Sequence, residues 1–178
     1  MKTHALPDFP PVATEAVRLD VNGRVHTLQL EPRTHLADAL REHCGLTATH
    51  LGCEHGVCGA CTVEVDGAPQ RACLQSALRF AGRQVRTLEA FDDDGVMAEL
   101  RAAFTAEHAL QCGYCTPGML ITARDVVLRL PQADEARIRE ELAGNLCRCT
   151  GYQGIVQAIG RVLAARAAAS RVKAAHAA

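Results

Sequence analysis

The sequence predicts an α+β chain in two parts, a small sheet unit followed by a helical bundle, on three observations. Apolar residues alternate with period 2 until about residue 90, and after Phe91-Asp-Asp-Asp-Gly95 they recur with period 3.6. Asn22-Gly23 and Asp66-Gly67 each supply a tight hairpin turn between alternating stretches. Of nine cysteines, eight fall into two sets of four, one set in each part, leaving Cys44 over. A chain of 178 residues is long enough to bury a core in each part.

Residues 1–15, with Pro7, Pro10 and Pro11, read as a flexible arm. The first part spans 16–90. Val17, Leu19 and Val21 alternate on a strand over Ala16–Val21, and Arg24–Leu30 returns after the Asn22-Gly23 turn. Pro32 ends that strand. Thr34 is the expected cap of a short helix to about His43, with Leu36, Ala39, Leu40 and His43 on one face. A Gly-rich loop runs from Gly45 to Cys61. Thr62–Val65 and Gln70–Leu74 form the second hairpin, with Cys73 on its return strand, and Gln84–Leu88 is a further strand.

The helical part spans 91–167. Val96, Leu100, Ala103 and Phe104 stripe a first helix. Thr116 as cap and Pro117 at the first helical position open a second, closed by Pro131. Asp134 caps a third, to about Leu142, ended by Gly144. Ile155, Val156, Ile159, Val162 and Leu163 stripe the fourth. Four short amphipathic helices make a four-helix bundle. The Ala-rich, basic stretch 168–178 has no apolar stripe and reads as a mobile tail.

Cys53, Cys58 and Cys61 are separated by four and then two residues, with Cys73 more distant. This is the plant-type ferredoxin spacing for a 2Fe–2S cluster, and Gly52, Gly56 and Gly59 let the backbone close around a small anionic group. The first part is therefore expected to be a β-grasp, ferredoxin-like domain. In the second part Cys112 and Cys115 precede the second helix, and Cys147 and Cys149 precede the fourth. Helix N-termini favour thiolates. A Cys-x-Cys pair is tighter than ordinary zinc knuckles, so these four read as a second cluster. Structural zinc also accepts thiolate quartets and stays open on spacing alone at Cys53–Cys73. A Rieske centre needs paired His ligands, and a thiol-exchange Cys-x-x-Cys needs a βαβ context that is missing here.

Composition narrows the function classes. A formal charge of −1 gives no basic stripe for nucleic acid. No apolar run approaches the roughly 20 residues of a membrane span, and the N-terminus has no hydrophobic signal core. The expected setting is the cytoplasm, where cysteines serve metal ligation or redox chemistry rather than disulfides.

Three motifs in order carry a family resemblance: Gly-Cys-Glu-x-Gly-x-Cys-Gly-Ala-Cys-Thr-Val over 52–63, Gln-Cys-Gly-Tyr-Cys-Thr-Pro-Gly over 111–118, and Gly-Asn-Leu-Cys-Arg-Cys-Thr-Gly-Tyr over 144–152. Across roughly 16–165 the chain resembles the iron–sulfur subunit of the molybdenum hydroxylases, which include xanthine dehydrogenase, aldehyde oxidoreductase and carbon monoxide dehydrogenase. The resemblance implies Cys53, Cys58, Cys61 and Cys73 as ligands of one cluster, and Cys112, Cys115, Cys147 and Cys149 as ligands of the other. It implies that Gln111 and Cys149 approach the pterin of a molybdopterin cofactor on a large partner subunit. It also implies an electron-transfer role, no substrate site on this chain, and an outlet to a medium FAD-binding subunit or another acceptor. A free-standing two-cluster ferredoxin and a zinc-stabilised interaction module are the alternatives.

The remaining chemistry-bearing residues have plainer readings. Cys44 reads as a buried small hydrophobe, His55 as a loop residue, and His43, His50 and His108 as structural. Tyr114 and Tyr152 read as packing residues with satisfied hydroxyls. Arg148, between two thiols, suits either an interface ion pair or charge tuning.

Overall fold

The computed structural model describes residues 12–176. Five strands form one mixed sheet in the order β2-β1-β5-β3-β4. β1 (Glu15–Val21) and β2 (Arg24–Leu30) pair antiparallel, as do β3 (Thr62–Val65) and β4 (Ala68–Arg71). β5 (Gln84–Arg86) lies between the hairpins, parallel to β1 and antiparallel to β3. Both turns are built as the dipeptides require: Asn22 and Gly23 have φ of 55° and 73°, Asp66 and Gly67 49° and 83°. Of the arm expected over 1–15, residues 1–11 lie outside the described residues, and Glu15 already belongs to β1.

Helix α1 (Leu36–Asp38) continues as a π-helical stretch over Ala39–His43. It is capped by His35, whose Nδ1 accepts the Asp38 N–H at 3.1 Å, and not by Thr34. Leu36, Ala39 and Leu40 are buried while His43 is exposed, because the widened π turn rotates it off the apolar face. These residues close a core with Leu19, Val63, Phe80 and Val85. β5 ends at Arg86, and Leu88–Phe91 is a 3₁₀ turn rather than strand.

The second core is helical. α2 (Gly95–Ala106), α3 (Thr116–Arg129), α4 (Glu135–Glu141) and α5 (Gln153–His176) enclose Met97, Leu100, Phe104, Met119, Ile138, Ile155 and Ile159. Asp94 and Asp134 cap α2 and α4 through their carboxylates. Thr116 does not cap α3. Cys115 occupies that position, and the Thr116 hydroxyl is buried. Of the mobile tail expected over 168–178, residues 168–176 continue α5 as helix, a conformation their Ala-rich composition favours, and 177–178 lie outside the described residues. Residues 168–175 are exposed, as the missing apolar stripe implies.

α3 packs on β3, so β3 is buried on both faces and even Glu64 is only 8 % exposed. Arg124 of α3 reaches across to it. Its guanidinium meets Glu64 at 2.7 Å and Asp94 at 2.7 Å, while Arg86 meets Glu64 at 3.2 Å. Arg86 and Arg124 both lie over the Phe91 ring, at 3.9 and 4.8 Å. The Arg124 guanidinium holds the Asp94 carboxyl below its usual range. Replacing Arg124 by Ala leaves the shielded Asp94 carboxylate without its counter-charge and buried Glu64 with Arg86 alone. The expected loss is about 3 kcal/mol, read in thermal unfolding as a Tm drop of roughly 6–12 °C for a chain of this size.

Candidate iron–sulfur sites

The folded chain gathers each set of thiols. Cys53 and Cys58 lie on the loop between α1 and β3; Cys61 ends that loop, 2 % exposed. Cys73 does not sit on a strand. β4 stops at Arg71, and Cys73 lies in the following turn, where Ala72 donates its N–H to the Cys61 carbonyl at 3.2 Å. The turn brings the Cys73 thiol onto that of Cys61, and Cys58 meets Cys53 in the same way.

The environments of these thiols differ in kind. The N–H groups of Cys58 and His55 both point at Cys53 Sγ, each at 3.4 Å, and draw its pKa down to about 6. Burial pushes Cys61 up to about 11. His55 is exposed, so its contribution to the site is its backbone N–H.

In the helical part Cys149 Sγ lies 3.5 Å from Cys112 Sγ, and Cys147 contacts Cys115. The Tyr114 N–H points at Cys112 Sγ at 3.5 Å. Cys115, at the α3 N-terminus, is pushed up to about 12, first by burial and then by its hydrogen bond with Cys147. Burial and thiol contact thus outweigh the helix-end potential expected to favour thiolate there. Cys147, despite burial that raises it, is brought down by the Thr150 hydroxyl and by the N–H groups of Cys149 and Thr150.

Each set therefore meets as two pairs: Cys53 with Cys58 and Cys61 with Cys73, then Cys112 with Cys149 and Cys115 with Cys147. Among the described residues no three His, Cys, Asp or Glu side chains converge on one metal-ion position. Two pairs suit two irons bridged by sulfides, each taking two thiolates; a tetrahedral zinc needs four thiolates on one point. The Thr116 hydroxyl is the one buried side-chain oxygen without a partner among the described residues, and it follows Cys115 directly. A donor left free beside a thiol set fits a group rich in acceptor sulfur.

Two family models cover the two parts. The one described as a 2Fe-2S iron-sulfur cluster binding domain matches residues 19–88, and the one described as a [2Fe-2S] binding domain matches 87–160. Caffeine dehydrogenase subunit gamma of Pseudomonas sp. (strain CBB1) is 47 % identical over 154 residues, 85 % of this chain and 92 % of that protein. The nicotine 6-hydroxylase small subunit of Paenarthrobacter nicotinovorans is 48 % identical, covering 84 % and 91 %. Among solved structures, quinoline 2-oxidoreductase from Pseudomonas putida 86 superimposes with a TM-score of 0.79 at 45 % identity, over 85 % of this chain and 95 % of that one. The chain belongs to the iron–sulfur subunits of the molybdenum hydroxylases. In aldehyde oxidoreductase from Desulfovibrio gigas the same fold matches only 17 % of a longer chain, with a TM-score of 0.74 and 33 % identity.

Other residues singled out in this iron–sulfur subunit fall into place around the thiols. Gln111 is exposed and donates its Nε2 to the Cys149 carbonyl at 3.1 Å. Tyr114 is stacked on His50 and donates its hydroxyl to the Leu51 carbonyl at 2.5 Å, tying the two cysteine loops together. The Tyr152 hydroxyl accepts from the Cys147 N–H at 2.8 Å and donates to the Asn145 carbonyl at 3.1 Å. Cys44 is half-buried and its pKa is raised by that burial, as a packing thiol's should be. Arg148 is exposed between its two thiols.

Most residues joining the two sites lie inside the three motifs, but nothing in their spacing marks them as a joint. The Leu146 N–H donates to the Cys58 carbonyl at 2.8 Å, and Arg71 reaches the Gly144 carbonyl at 2.5 Å. A Cβ on Gly118 would stand 2.3 Å from the Gly59 carbonyl, so α3 meets the first cysteine loop with no clearance. Gly118→Ala must push that contact apart, at about 1–3 kcal/mol. Gly160→Ala, in open space on helical α5, should instead add about 1 kcal/mol. Opposite shifts in unfolding midpoint are the expected readout.

Proposed function

We propose that this subunit is the electron-transfer member of a molybdopterin-dependent hydroxylase. One 2Fe–2S cluster is held by Cys53, Cys58, Cys61 and Cys73, and a second by Cys112, Cys115, Cys147 and Cys149. The observation that carries the reading is the two-plus-two meeting of thiols in both parts of the chain. When bound, the clusters supply one-electron relay from the molybdenum centre of a large subunit to a FAD subunit or another acceptor.

This chain's own residues hold and tune. Donors aimed at Cys53 and Cys112 sulfur stabilise negative charge there, which favours the reduced state; burial of Cys61 and Cys73 opposes it. Gln111 and Cys149 form the face turned to the pterin. The support is their direct hydrogen bond beside exposed Cys112, on a rim with exposed Leu110, Tyr114 and Leu146. Apolar side chains left out of the core around a metal site mark a docking face for the large subunit. The substrate pocket and its catalytic residues belong to that partner. Nine cysteines with no disulfide among the described residues, eight of them in thiol sets, suit a cytoplasmic setting, and no helix among the described residues is long and apolar enough to cross a membrane.

The purified complex should carry about four irons and four sulfides per chain of this type, two of each per cluster. Cys58→Ala and Cys147→Ala should each remove one cluster and leave the other's EPR signal; bound zinc without sulfide would sink the assignment. Gln111→Ala should slow reduction by substrate while dithionite still reduces both clusters. An unchanged substrate-driven rate would remove Gln111 from the pterin face.

A further inference from the structure

Asn145 stands where the two cysteine loops meet. It is 2 % exposed, and every polar atom of its side chain is engaged. Nδ2 donates to the Gly59 carbonyl at 3.3 Å and to Thr62 Oγ1 at 3.4 Å. Oδ1 accepts from Thr122 Oγ1 at 3.1 Å and Arg71 Nη2 at 3.2 Å. Gly59 follows Cys58, Thr62 follows Cys61, and Asn145 lies two residues before Cys147. One buried amide therefore registers three thiol-bearing backbones against one another.

The neighbours leave no room for a substitute arrangement. A Cβ on Gly59 would stand 2.5 Å from the Gly144 carbonyl and 2.8 Å from Asn145 Nδ2. The main chain of the same segment adds the Leu146 N–H to Cys58 carbonyl bond and the Tyr152 hydroxyl bridge between Asn145 and Cys147. An amide donates to one side and accepts from the other; Asp would face the Gly59 carbonyl with an oxygen, and Ala would remove one of the partners of each of four polar groups, which keep only their bonds within their own segments or to Gly144.

We propose that Asn145 is a positioning residue that sets the separation of the two cluster sites, and through it the rate at which electrons pass between them. The proposal rests on the cluster assignment above. Electron transfer between buried carriers falls steeply with distance, so a small relaxation of this joint is felt in the rate.

The test uses the complex as purified with its partners, comparing wild type with Asn145→Ala and Asn145→Asp. Fully reduced samples are measured by low-temperature EPR, where two paramagnetic clusters split each other's lines by an amount set by their separation. Rapid freeze-quench after substrate addition times the appearance of the second signal. The expected result is full iron content, an altered splitting and several-fold slower appearance of the second signal. Leu163→Val, a core change beside Val127 at the end of α3 away from Cys115, should leave the splitting as in wild type; if it shifts equally, the effect is general loosening and the proposal falls. If Asn145→Ala loses iron, Thr122→Val keeps the volume and removes one hydrogen bond to Oδ1; it should move the splitting away from the wild-type value, and an unchanged splitting overturns the proposal. Iron retained in Asn145→Ala with unchanged splitting and timing overturns the positioning role alone. Wild type without iron overturns the cluster assignment beneath it.

Discussion

The contact on which the rest depends is the seating of Gly144–Leu146 on the loop Cys58–Thr62. It is a backbone-to-backbone fit, closed by the Leu146 N–H on the Cys58 carbonyl and by Arg71 on the Gly144 carbonyl. Glycines at 59 and 118 permit it, since a side chain at either would strike a carbonyl. Because interiors are close-packed, a joint without clearance holds its two sides at one separation. Two metal sites in two structural units become one device by this contact.

Around that joint, charge is handled in pairs. Glu64 is buried because α3 covers β3, and it is tolerated because Arg124 and Arg86 both reach it. Arg124 also holds Asp94, the cap of α2, so one guanidinium links the sheet, α3 and the start of the bundle. Such an arrangement adds less to net stability than its short distances suggest, because desolvation offsets much of the attraction. Its use is orientation: it fixes how α3, and with it Cys115, approaches the sheet.

The eight thiols are not equivalent, and the cause is local. Cys53 sits under two backbone N–H groups and is acidic; buried Cys61 and half-buried Cys115 are not. In both sets an accessible thiol (Cys53, Cys112) receives N–H donors while a more buried one faces apolar surroundings. Each set of thiols is therefore electrostatically lopsided.

Much was legible in the sequence because it is written in short-range rules. Hairpin dipeptides specify φ > 0 turns, thiol spacing specifies ligand sets, and 3.6-residue stripes specify helices; the two hairpins, the four helices and the family were all readable from these. Thr34 and Thr116 look like caps from sequence, yet His35 and Cys115 hold those positions, since a cap depends on which backbone N–H groups the neighbours leave free. Cys73 reads as a strand residue, but β4 ends early so that a turn can carry its thiol to Cys61. Arg71, Thr122 and Arg124 have no periodicity or spacing that marks them, and Asn145, though inside the 144–152 motif, carries no sign of its partners. Their roles come from residues 23 to 86 positions away, and only packing one unit on the other brings those together. The sequence by itself determined which chemistry the chain supports; the tertiary structure alone decided how closely its two sites are held, because that separation is set by long-range contacts between side chains and backbone that no local pattern encodes.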